Sequence, residues 1–179
     1  MARDKYPKRI RADVERGFII AYYELACGLH VSLNEEGRVD DVVATASSPG
    51  QLIGMDFSSI YHFTEGQKPQ TRLRHLRRKV EYLERIGEIL REPHENPYEV
   101  LYEIWCFIAP NEYVLQTAEK AKQEGLPVKV VNPEELHNRI RQTAEIEPAD
   151  EDMVSANAFL WSAELFRIAG AWGKVSKPA

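Results

Sequence analysis

Val100–Val131 reads VLYEIWCFIAPNEYVLQTAEKAKQEGLPVKVV, and the fold class turns on it. Val100–Ile108 is short and almost continuously apolar, which suits a strand buried on both faces. Asn111 is an N-cap residue type ahead of a helical pattern that runs to Glu124, and Gly125 supplies a stop. Leu126–Val131 then reads as a second strand. A strand, a helix and a strand in that order imply a parallel pair joined by a right-handed crossover.

Working outward, Asn132 and Pro133 open another helix, which carries Leu136 and Ile140. Upstream, TRLRHLRRKVEYLERIGEILRE (Thr71–Glu92) holds Leu73, Leu76, Val80, Leu83 and Leu90 in one stripe, with Gly87 in the stripe as well. This is a long amphipathic helix that ends by Pro93. Val39–Ala46 and Leu52–Phe63 are rich in β-branched and aromatic residues, and SSPG (Ser47–Gly50) punctuates them. They read as strands of a meander. Arg9–Leu29 opens the chain with Ile10, Val14, Phe18, Ala21, Leu25 and Leu29 at helical spacing, and Gly28 stands near the end as a C-cap. The sum is an α/β domain over 1–145 with a mixed central sheet flanked by helices. An acidic linker, Glu145–Asp152, and an extra C-terminal helix, Met153–Trp172, complete 146–179. That helix is apolar on more than one face and should pack on the domain or build a homo-oligomer with a second subunit.

The 179 residues are 44% hydrophobic and 28% charged, which excludes wholesale disorder and a collagen-like fibre. Cys27 and Cys106 lie in apolar runs and read as small buried hydrophobes rather than a disulfide framework or a zinc set. Glu24 and Glu103 interrupt the longest apolar stretches, so no membrane span is expected. The basic N-terminus lacks the apolar core of a secretory signal. The expectation is a cytoplasmic protein.

Two features bear on chemistry. Asp40 and Asp41 open one strand, DDVVATAS, and Asp56 interrupts the apolar run LIGMDFSS. Carboxylates on neighbouring strands can hold Mg²⁺, which prefers oxygen ligands and can activate water; equally, such acids serve as turn residues or hydrogen-bonded side chains. The second feature is KPQTRLRHLRRK (Lys68–Lys79), dense in cations on a chain of net charge -5. Lys68, Arg72, Arg74, Arg77 and Arg78 suit phosphate contacts with DNA or RNA. The alternative is a solvated helix face pairing with Glu81, Glu84 and Glu88. His62 lies in the strand-like IYHF, near Asp56 in sequence. The remaining histidines lack zinc spacing, and no glycine-rich phosphate loop or nucleophile elbow is present.

The order of elements and the position of Asp56 resemble the PD-(D/E)XK, restriction-endonuclease-like nuclease superfamily over about Val14–Ile140. The resemblance is one of layout more than of motif. It implies Mg²⁺-dependent phosphodiester hydrolysis, with Asp41 and Asp56 holding the metal and Glu15 assisting from the first helix. The family's lysine should stand two residues after Asp56, where this chain has Ser58. Lys79 or Arg72, on the following helix, would have to replace it. The other expectation is a non-catalytic protein that binds nucleic acid or an acidic partner without cleavage.

Overall fold

Residue alternation along QLIGMDF explains the centre of the sheet. In a strand, successive side chains point to opposite faces. Here both faces are covered, so the run is apolar almost throughout, as a strand buried on two sides must be. The computed structural model describes residues 15–34 and 42–145. Within them five strands form one mixed sheet in the order β1 (His30–Leu33), β2 (Ala44–Ser48), β3 (Gln51–Phe57), β4 (Glu99–Trp105) and β5 (Val128–Val131). β2 and β3 are antiparallel, with Ala44 opposite Met55. They are joined through Pro49–Gly50, where Gly50 has φ 85, the left-handed conformation that the third position of a type II turn requires. β3–β4 and β4–β5 are parallel, with Asp56 opposite Ile104 and Trp105 opposite Val131.

The helices are α1 (15–20), which continues into a π-helical turn at Ala21–Ala26, then α2 (Pro69–Leu90), α3 (Glu112–Gln123) and α4 (Pro133–Ala144). The α/β class with a mixed sheet is therefore as the sequence implies. The chain divides into two compact units, Ser32–Asn132 and the remainder. In the Ser32–Asn132 unit, α2 buries Leu73, Leu76, Val80, Leu83 and Gly87 against Leu52, Tyr102 and Ile104 of the sheet, and α3 adds Val114, Ala118 and Ala121. In the other unit α4 buries Leu136 and Ile140, and the Arg139 guanidinium lies 4.7 Å over the Tyr22 ring of the π-helical turn.

Local differences from the sequence reading have physical causes. The third strand stops at Phe57, not Phe63, because Ser58–Ile60 forms a 3₁₀ turn closed by the Tyr61 N–H on the Ser58 carbonyl. Leu90 lies one turn beyond Gly87, the last buried position of α2, and is 43% exposed. Cys27 is exposed rather than buried, because the helix ends at this residue, just before left-handed Gly28 (φ 68). The linker and final helix expected beyond 145 lie outside the described residues.

Gly54 marks a close approach of α2 to β3. A Cβ there would stand 2.4 Å from a Leu83 methyl, and Leu83 is fully buried. Gly54→Ala should therefore destabilise the fold by about 1–3 kcal/mol through overpacking. Pairing it with Leu83→Ala should cost less than the two single changes added together. Urea denaturation of the four proteins measures the coupling, and strict additivity would contradict the contact.

Candidate functional site

Asp56 is the one acid in β3, and burial dictates its surroundings. Its side chain is on the β3 face that carries Gly54, toward α2, and is 2% exposed. A carboxylate taken so far from water must be compensated by hydrogen bonds or opposite charge. The backbone N–H of Val43 donates to Oδ1 at 3.0 Å. The Tyr102 hydroxyl donates to Oδ2 at 2.6 Å, and Lys79 Nζ lies 3.1 Å from the same oxygen. With the Tyr102 proton committed to Asp56, the Tyr102 oxygen accepts from the Tyr61 hydroxyl. β3, α2, β4, the segment before β2 and the loop after β3 thus converge on one carboxylate.

Burial pushes the Asp56 pKa upward, and Lys79, Tyr102 and the Val43 N–H oppose that shift. Burial and the nearby Asp56 charge raise both tyrosines further above their ordinary value, so their hydroxyls stay neutral donors. Cys106, on the same sheet face, is pushed up to about 11 by burial and is no ready thiolate.

The structure brings Asp56 and Lys79 together, as a lysine from the following helix would have to be. It also surrounds Asp56 in a way that does not fit a resident Mg²⁺. Both carboxylate oxygens already accept from protein donors, an ammonium occupies the side a cation would approach, and no water-accessible face is left for the aquo ligands Mg²⁺ retains. Among the described residues no group of three or more His, Cys, Asp or Glu is placed to hold a metal. Asp41 lies outside the described residues. Glu15 is on α1, in the other unit. His62 is exposed.

The basic run divides by helix geometry. Arg72 is buried and donates from Nη1 to the carbonyls of Thr64 (2.9 Å) and Gln67 (2.8 Å), with its guanidinium 4.9 Å over the Tyr113 ring. It clamps the loop before α2 rather than facing solvent. Arg77 is exposed and paired with Glu124 at 2.8 Å. Lys68, the N-cap of α2, and Arg74 and Arg78 are exposed and have no ion pair among the described residues. No acid occupies the first turn of α2 to offset that charge.

Tyr61 and Tyr102 escaped the sequence reading. Tyr102 sits in a nearly continuous apolar run, and only the parallel register, with Asp56 opposite Ile104, makes it the diagonal neighbour of the acid. The signal available was a lone aspartate in a doubly buried strand, which demands partners somewhere.

No family model, no curated protein and no solved structure matches this chain. Among the described residues no helix is long and apolar enough to cross a membrane.

Removing one member of the buried pair leaves the other charge uncompensated. Lys79→Met should cost about 3–5 kcal/mol by stripping the buried Asp56 carboxylate of its ammonium, and adding Asp56→Asn to it should recover much of that loss. A fully additive double variant, read by chemical denaturation, would deny the pairing.

The pH dependence follows from the raised Asp56 pKa. A folded-state value above the ordinary 3.8 means the folded protein holds this proton more tightly than the unfolded chain. The resulting stability is fully present below that ordinary value and is lost as pH rises through the raised one. The stability difference between wild type and Asp56→Asn should therefore favour wild type most in acid and shrink toward neutrality. A difference that grows with pH contradicts the direction.

Proposed function

We propose that this chain is a nucleic-acid-binding protein of nuclease-like layout that binds without cleaving. The observation that supports the reading is the division of labour along α2. The residues that would be catalytic, Asp56 and Lys79, are turned inward and neutralise each other. Lys68, Arg74, Arg77 and Arg78 are turned outward, and three of these four have no ion pair among the described residues. Cations spaced along an exposed helix contact phosphates without reading sequence, with affinity that falls steeply as salt displaces them. Arg72 is left out of this surface, because its donors are spent on the loop carbonyls.

The test is binding of a short fluorescent oligonucleotide at several salt concentrations, with a plasmid incubated in Mg²⁺ or Mn²⁺ alongside. Wild type should bind with a clear salt slope. Arg74→Ala with Arg78→Ala should weaken binding and lower the slope by about two, roughly one for each phosphate no longer neutralised. The plasmid should stay intact. Absence of binding at low salt would remove the reading. Cleavage abolished by Asp56→Asn would replace it with a metal-dependent nuclease in which the buried network opens.

A further inference from the structure

Beside the second half of α2 lies an open hollow of ≈ 890 Å³ with an apolar floor. Gly87 lies close to Tyr98 there, since an added Cβ would stand 3.3 Å from the Tyr98 Cβ, and Val100 and Pro97 extend the floor. Ile89, also in the lining, is 81% exposed. One wall is acidic. At 100° per residue, Glu84, Glu88 and Glu81 stand ~60°, ~100° and ~120° round the helix from Gly87, all in the same sense. Glu81 and Glu84 have no ion pair among the described residues, and Glu88 is held by Arg91 at 3.6 Å. Arg85 lines the hollow as well, but from ~160° round, so it borders the mouth from the solvent side. The wider surroundings have the same sign: over 81–99, six glutamates stand against two arginines. The helix end adds to this, because its dipole is negative there and α2 has no base in its last turn.

We propose that this hollow is a docking groove for a basic peptide segment of a partner protein, in which lysine or arginine is interspersed with aliphatic residues. Charge complementarity selects the cation. A lysine or arginine stem lies on the apolar floor while its head reaches the glutamates of the wall. The exposed apolar edge selects a peptide over a bare amine. A polyamine would satisfy the glutamates and leave Ile89 in water, whereas an aliphatic neighbour in a peptide covers it. Two cations limit where the peptide lies. Arg78, ~180° round from Gly87, and Arg85 both stand on the solvent side of the wall. They repel an incoming cation there and direct it inward, toward Glu84 and Glu88. Arg74 and Arg78 are outside the lining of the groove, so the proposal does not rest on the nucleic-acid reading.

Fluorescence polarisation of a labelled peptide, KLKLKL, tests the proposal on the full chain. Wild type should bind it at low salt. Glu81→Gln/Glu84→Gln should weaken binding about tenfold, the combined contribution of two exposed ion pairs. Ile89→Ser should weaken it about threefold, and the peptide KGKGKG, equal in charge but without aliphatic residues, should bind about tenfold more weakly than KLKLKL. Arg74→Ala/Arg78→Ala should bind KLKLKL at least as well as wild type, because it removes repulsion and no contact. Failure of wild type to bind at about 1 mM peptide overturns the proposal. So does undiminished binding by the glutamate variant or by Ile89→Ser, or a loss of binding in the arginine variant. KGKGKG binding as tightly as KLKLKL, or spermidine displacing KLKLKL at equal concentration, also overturns it, since attraction of any cation would then suffice. Circular dichroism checks the fold of each variant. If the glutamate pair does not fold, Glu84→Gln alone replaces it, and binding as tight as wild type there is equally fatal.

Discussion

A carboxylate with 2% exposure in the middle strand of a sheet is the constraint around which the Ser32–Asn132 unit is organised. Desolvation alone would make Asp56 several kcal/mol unfavourable as an anion. The fold answers with a donor from each segment that reaches it: the Val43 N–H ahead of β2, the Tyr102 hydroxyl on β4 and the Lys79 ammonium on α2. Tyr61 then supports Tyr102 from the loop after β3. An apolar replacement of similar volume would pack these layers at least as tightly. What the polar set adds is selectivity, since it is satisfied only when all five segments arrive together.

The same requirement sorts the charges of α2. A helix turning 100° per residue across a sheet must bury some positions of any dense basic run. Lys79 falls on the buried stripe between Leu76 and Val80 and is retained because Asp56 is there to meet it. Arg72 falls on the same side one turn before Leu76, and it is accommodated by two loop carbonyls and an aromatic face. The remaining cations are outside by default. The run is thus two surfaces interleaved, one structural and one exposed.

The class of fold was legible because each of its signals is local. The apolar run of β4, the Asn111 side chain that accepts from Val114 N–H, left-handed Gly125 and the Pro133 start of α4 all act within a few residues of themselves. The stripe of α2 was legible for the same reason, to within two residues at each end. The site was legible only in part. Asp56 could be named as the acid that interrupts an apolar run, and Lys79 only through the layout resemblance, yet their burial could not, because it depends on how deep α2 sits over Gly54. The tyrosines were invisible, since an aromatic in an apolar strand reads as core whether or not its hydroxyl has a task.

Register explains why so costly a network is kept. β3 and β4 are both nearly apolar on two faces, so hydrophobic alternation distinguishes their pairing poorly. A slip by one residue is opposed by turning the set over, but a slip by two restores every side chain to its own face. Such a slip would leave an equally greasy contact between strands. It would not leave Tyr102 within hydrogen-bonding reach of Asp56, nor Tyr61 within reach of Tyr102. Lys79 adds the same demand on the axial position of α2, where a displacement of one turn would bury an ammonium and a carboxylate apart. The polar network therefore penalises the alternatives that apolar packing tolerates, and it fixes which residues of α2 remain outside to form a charged face.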